Sequence, residues 1–122
     1  MKTSRQIVGK ILENAVGDYL QRQGLKIVTT NYQCKCGEID LIMQDGEVLV
    51  FVEVRYRKID DFGDSVSSVT KAKQRRIIRA ATYYLLENDL YDKVLCRFDV
   101  VGASSNVASK FQWIKDAFWV KW

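Results

Sequence analysis

The chain has 122 residues, 48% of them hydrophobic and 28% charged, with a net charge of +4 and no histidine. Length and composition predict one domain with a sizeable core and exclude a disordered chain, while the positive balance suggests an anionic partner, nucleic acid being the commonest. Without histidine there is no Ser-His-Asp triad, no Cys-His pair and no histidine general base, so acid, base and metal work falls to carboxylates.

The first predicted element is a helix over residues 4–23. Ile7, Val8, Ile11, Leu12, Ala15, Val16, Tyr19 and Leu20 recur at three- and four-residue spacing, Ser4 can cap the start, and Gly24 ends it. The stretch LKIVTTNYQC then reads as a β-branched strand, and GEIDLIMQDGEVLVFVEVRYR as two strands around Asp45-Gly46. KIDDFGDSVSS is a polar loop. A second helix is expected near 70–88, capped by Thr70 or a neighbouring serine, with Ile77, Ile78, Ala81, Tyr84 and Leu85 inward. VLCRFDVVGA is a fourth strand, and FQWIKDAFWVKW a short strand or helix. No apolar run approaches the roughly 20 residues that cross a bilayer, and MKTSRQIVGK lacks the apolar stretch of a signal peptide. No membrane contact and a cytoplasmic location are expected.

With Asp45 and Gly46 as the two loop residues, Met43 faces Val48, Leu41 faces Val50, Ile39 faces Val52 and Glu38 faces Glu53, with Asp40 diagonal to Glu53. Strand alternation then gathers Ile39, Leu41, Met43, Val48, Val50, Val52, Val54 and Tyr56 on one uncharged core face. The other face carries Ile42, Leu49 and Phe51 near the turn and Glu38, Asp40, Glu53 and Arg55 at the far end. Opposed like charges are unfavourable in a sheet. A cation is therefore expected there, either a metal ion or Arg55.

Glu13 lies within about 20° of Leu20 around the first helix, near its buried stripe, since a helix turns about 100° per residue. It is either a boundary carboxylate reaching water or an inward-pointing ligand, and Gly9 and Gly17, a turn before and after, would let another element or a ligand approach. The second helix opens KAKQRRIIR, placing Lys71, Lys73, Arg75, Arg76 and Arg79 in its first half, while Glu87 and Asp89 fall near its end. This opposes the helix dipole and reads as a phosphate site, or as a solvated face, since Lys71, Arg75 and Arg79 form an i, i+4 stripe. Trp113, Phe118, Trp119 and Trp122 either close a core or stack on bases. Cys34, Cys36 and Cys96 are an odd set that argues against a disulfide framework, and with no histidine a zinc site on the CKC pair is disfavoured against small buried hydrophobes. Asp60, Asp61 and Asp64 lack the spacing of a calcium loop.

An Asp followed on a hairpin by Glu-x-Lys, with an earlier helical Glu, is the pattern of the PD-(D/E)XK nuclease superfamily, which this constellation resembles. More closely, GEIDLI, LVFVEVRYR, VTKAKQRRI and RFDVV behind LENAVGDYL resemble the YraN-like family of small bacterial proteins, itself distantly similar to archaeal Holliday-junction resolvases. The resemblance runs from about Gly9 to Phe118. It implies an α/β restriction-endonuclease-like single domain over residues 1–122, a mixed central sheet flanked by helices in the order α-β-β-β-α-β. By position, Glu13, Asp40 and Glu53 match the family's metal-binding acids, and Arg55 stands where the family usually has lysine. Lys71 and Gln74 match polar positions of its second helix. Ile39 replaces the motif proline. Arginine stays protonated, with a pKa above about 12, so Arg55 can offset charge on a phosphate but cannot act as a base.

The resemblance implies a Mg²⁺- or Mn²⁺-dependent nuclease. Its catalytic residues would be Glu13, Asp40, Glu53 and Arg55, with Lys71, Lys73, Gln74, Arg75, Arg76 and Arg79 on nucleic acid. The implied partner is DNA, branched DNA included, with a homodimer as the candidate assembly. The alternatives are a non-catalytic nucleic-acid-binding module, in which the same carboxylates pair with Arg55, and a protein-interaction domain using the C-terminal aromatics.

Overall fold

A computed structural model describes residues 3–57, 69–104 and 111–120. The polar loop expected at 58–68, with Asp60, Asp61 and Asp64, lies outside the described residues, as does Trp122. Helix α1 (Ser4–Arg22) is followed by strands β1 (Lys26–Cys34), β2 (Gly37–Asp45) and β3 (Val48–Arg57). Helix α2 (Lys71–Glu87) then leads to β4 (Leu95–Ser104) and β5 (Phe111–Phe118). The fold is mixed α/β, and the closing segment that the sequence left as strand or helix is a strand. No helix is long and apolar enough to cross a membrane.

The helix ends follow local chemistry. Thr3, not Ser4, caps α1: its hydroxyl accepts the Gln6 N–H at 3.2 Å while Gln6 Oε1 accepts the Thr3 N–H at 2.8 Å, a reciprocal capping box. Thr70 caps α2 by accepting from Lys73 N at 3.1 Å. Both helices close with the same pair of bonds. Leu25 N reaches Leu20 O and Gly24 N reaches Gln21 O behind α1, and Leu90 N reaches Leu85 O and Asp89 N reaches Leu86 O behind α2. Gly24 (φ 103°) and Asp89 (φ 55°) supply the left-handed residue this ending requires.

The sheet runs β1-β2-β3-β4-β5 in space, antiparallel throughout except for parallel β3 and β4, which α2 connects. A helix covers each face. Leu12, Val16 and Leu20 of α1 pack on Leu41, Met43, Val50, Val52, Val101 and Ala103, whereas Ile77, Ala80, Ala81 and Tyr84 of α2 pack on Ile42, Leu49, Phe51, Phe98 and Val100. Both faces are therefore core, which is why β3 reads as a nearly continuous apolar run. The N-terminal turns of α1 overhang the sheet: Ile7, Val8 and Ile11, assigned by periodicity to the inner stripe, are 47%, 42% and 60% exposed. Tyr56, placed with the core face, is 51% exposed near the end of β3.

The hairpin register differs from the expected one by two residues. Leu41 faces Val52, Met43 faces Val50 and Asp45 faces Val48, so the loop residues are Gly46 (φ 59°) and Glu47. Glu38 is opposite Gln33 of β1 instead of Glu53. A two-residue slip keeps every side chain on its face. One residue does change sides: Ile39 packs in the α2-side cluster, because regular pairing of β2 with β3 stops at Leu41 and Val52 and β2 departs from strict alternation beyond it.

On the α1 side, fully buried Asp99 ties β4 to β5. Its oxygens accept from Arg97 Nε at 3.0 Å, Trp113 Nε1 at 3.0 Å and Asp116 N at 2.9 Å. Asp116 has φ 55°, and the β4–β5 register slips between Phe98 and Val100. The carboxylate thus satisfies a donor that the irregular ladder leaves open. Arg97 also donates to Asp45 Oδ2 at 2.8 Å, fastening the hairpin end to β4.

Candidate functional site

Asp40 and Glu53 meet where the β2–β3 ladder ends. One residue past the last regular pair, the Asp40 carboxylate accepts the Val54 N–H at 2.8 Å. It takes a backbone donor that would otherwise lack a partner and hydrogen-bonds to the Glu53 carboxyl. Burial, the bond to Glu53 and the Glu53 charge together raise the Asp40 pKa from 3.8 to about 8, against the lowering effects of Val54 N–H and Lys73.

Glu53 is 7% exposed. Lys73 Nζ of α2 stands 3.1 Å from its Oε2, yet that oxygen has no properly directed hydrogen bond. The contact is an ion pair held off the hydrogen-bond line. One carboxylate oxygen thus keeps a lone pair unused inside the protein.

Glu13 sits half-buried on α1. Asn31 of β1, with its amide nitrogen turned toward the helix, donates to Glu13 Oε1 at 2.7 Å, and β1 turns at this asparagine into the left-handed region (φ 52°). Burial first, then the charges of Asp40 and Glu38, raise the Glu13 pKa to about 7, with Lys10 opposing. Glu13 therefore feels Asp40 electrostatically. Among the described residues, however, no three Asp, Glu, Cys or His side chains are gathered closely enough to hold a metal ion. A Cβ at Gly9 would meet nothing within 4 Å and one at Gly17 only ordinary contacts at 3.6 and 3.9 Å, so neither glycine is needed for a close approach. Arg55 is half-buried on β3, two residues beyond Glu53 and so on the same strand face.

The cations of α2 divide between its two flanks. Lys73 faces Glu53, and Arg76 passes the start of β2, where a Cβ added at Gly37 (φ 152°) would lie 3.6 Å from the Arg76 Cβ. Lys71, Gln74, Arg75 and Arg79 line a groove on the other flank with Ile78, Trp119 and Val120. The sequence grouped these cations as one backbone grip and did not single out Lys73 as the partner of Glu53. The signal was present: Lys73 lies one turn before Ile77 and so heads the buried stripe Ile77, Ala80, Tyr84. Asn31 beside Glu13 carried no such signal, because only the fold brings β1 to α1 there.

Residues 12–103, which include Glu13, Asn31, Asp40, Glu53, Arg55 and Lys73, match the model of the uncharacterised protein family UPF0102. The chain belongs to this family. Curated UPF0102 proteins match along nearly the whole length. One from Coxiella burnetii is 47% identical with 96% of each chain covered. Another, from Nitrosococcus oceani, is 48% identical with 93% of this chain and 92% of its own covered. A third, from Psychromonas ingrahamii, is 47% identical over 90% of this chain and 88% of its own. The YraN-like resemblance of the sequence motifs and this family membership agree. The family span takes in Glu13, Asp40, Glu53, Arg55 and all the α2 cations, but Trp113, Phe118 and Trp119 lie beyond it.

Proposed function

We propose that this UPF0102 protein is a metal-dependent nuclease acting on DNA, branched DNA included. The observation that carries the reading is the Asp40–Glu53 pair: a half-buried Asp40 whose pKa is pushed up, beside a buried Glu53 with one oxygen free of hydrogen bonds, at the splayed end of an otherwise apolar hairpin. Such a pair is costly for folding and suits a hard divalent cation, which carboxylate oxygens prefer. Asp40 and Glu53 would hold Mg²⁺ or Mn²⁺ with Glu13 at the rim, and a cation bound there lowers the pKa of water and offsets charge on a phosphate.

The chain's own residues supply the rest. Val54 N–H fixes the Asp40 carboxylate beside Glu53. Lys73 stands next to Glu53 and places an ammonium, a compact point charge unlike the planar guanidinium of Arg55, at this corner. Arg55 would offset charge developing on a phosphate beyond Glu53. The positive α2 surface would hold the DNA backbone.

A second reading, a non-catalytic DNA-binding module, is favoured by one specific observation. Lys73 already pairs with Glu53, and among the described residues no third ligand closes the corner. Incubating the protein with linear duplex, single-stranded and four-way-junction DNA in Mg²⁺, Mn²⁺ or EDTA separates the two. The nuclease reading expects cleavage with either metal, none in EDTA and none by Asp40→Asn. DNA binding without cleavage under any metal supports the module.

A further inference from the structure

The second flank of α2 is a groove of about 420 Å³ that the carboxylate corner does not use. Lys71, Arg75 and Arg79 run along it at steps of about 6 Å, four residues at 1.5 Å each. Among the described residues none of them is paired with a carboxylate, and no acidic side chain lines the groove. Ile78 and Val120 form an apolar floor, and Trp119 stands at the side with 67% of its surface exposed. Its neighbours in the chain are used differently. Phe118 stacks on Phe98 at 5.0 Å in the core, and Trp113 is tied to Asp99.

We infer that this groove binds an unpaired nucleotide of single-stranded DNA, its base stacked on Trp119 and its flanking phosphates on Lys71, Arg75 and Arg79. The inference rests on the reading that DNA is the partner and adds the form of DNA recognised. Cations with no counter-ion among the described residues suit an anion. An exposed indole beside them demands a π-face, which every nucleobase has. A duplex meets only the first demand, because its bases are stacked on one another and unavailable to Trp119. The cationic flank and the carboxylate corner lie on opposite sides of one helix, about 10 Å wide with its side chains. A strand seated in the groove therefore leaves α2 within reach of Asp40 and Glu53, as a junction or a frayed end would allow.

The test is fluorescence anisotropy with the full chain in EDTA, using an oligo-dT of about 15 nucleotides and a duplex of the same length. Trp119→Ala should weaken oligo-dT binding by roughly tenfold or more, in line with the loss of one base–aromatic stack, and leave duplex binding within about twofold. Trp119→Phe should restore most of the loss. Arg75→Ala should weaken both ligands and lower the salt slope by about one. Trp119 is mostly exposed, so a folding defect is not expected, and circular dichroism of each variant checks this. Unchanged oligo-dT affinity in Trp119→Ala overturns the inference while leaving metal-dependent cleavage intact. Selective loss of oligo-dT binding in a protein that cuts nothing supports the groove and removes the nuclease. Failure of the wild type to bind either DNA overturns both.

Discussion

The Asp40 carboxylate accepts the backbone N–H of Val54 at 2.8 Å, one residue past the last regular β2–β3 pair. This bond holds the side chain beside Glu53, where burial and then Glu53 raise the Asp40 pKa to about 8 while the Val54 N–H itself opposes the rise. The same corner can therefore be neutralised by a proton or by a cation, and stability, binding and activity should all depend on pH through it.

Stability without metal should fall as pH rises. Asp40 in the folded protein titrates at about 8 against 3.8 as the ordinary value. Between those limits the native state binds a proton that the unfolded state has released, so the slope of unfolding free energy against pH is negative. Its limit is roughly 1.4 kcal/mol per pH unit for one group. Glu13, raised to about 7, adds in the same direction. Denaturant titrations in EDTA from pH 5 to pH 8 should show the decline. Asp40→Asn should flatten it, because an amide mimics the protonated acid and can still accept from Val54. A wild type that gains stability toward pH 8 would contradict the raised Asp40 pKa.

Lys73→Ala should destabilise the protein more at pH 8 than at pH 5, by about 1–2 kcal/mol against under about 1 kcal/mol. It strips the cation from a corner where Asp40 loses its proton as the pH approaches 8, although the partial exposure of Lys73 limits the cost. Urea midpoints at the two pH values measure this. Equal losses at both would mean that Lys73 acts through packing alone.

Asp99 provides the contrast of a structural acid. Asp99→Ala would leave Arg97 Nε and Trp113 Nε1 without their acceptor inside the protein and should cost about 3–5 kcal/mol between pH 5 and pH 8. Asp45→Ala, at the more exposed end of the same Arg97 network, should cost about 1 kcal/mol or less. Thermal melts of the two variants should therefore separate widely. A mild Asp99→Ala variant would show that the network is dispensable.

Much of the architecture was legible from local signals. The turn of β2 into β3, the Thr70 cap and the Gly24 stop each rest on residues close in sequence. The hairpin register was not. A clean apolar face on Leu41, Met43, Val50 and Val52 reports which residues share a face, and a two-residue slip preserves that property, so Asp45-Gly46 and Gly46-Glu47 loops looked alike. The true register brings Asp40 nearer to Glu53 than the diagonal assumed. The thorough burial of Asp99, by contrast, depends on Trp113 and Asp116, 14 and 17 residues away across an irregular strand pair. Periodicity carries no information about such a contact.

Arg55 tests the chemistry of the proposed nuclease. Lys73 already supplies an ammonium at Glu53, so Arg55→Lys should leave metal-dependent cleavage similar or lower by less than about tenfold, a point charge replacing a planar fork. Arg55→Ala should lower it by about a hundredfold or more, the usual cost of removing one electrostatic donor. Single-turnover rates on the best substrate give both numbers. Cleavage that rises in Arg55→Lys would mean that the lysine of the motif is missed at position 55 and that Lys73 does not replace it.

Calorimetric titration of Mn²⁺ into the wild type and Asp40→Asn at pH 7, repeated in two buffers of different ionisation enthalpy, tests the carboxylate pair most directly. The account predicts that Mn²⁺ binds the wild type with release of about one proton, the one that Asp40 holds at this pH. It also predicts that Asp40→Asn, though folded, loses the binding. Equal Mn²⁺ affinity in the variant, or wild-type binding with no proton released, would contradict it.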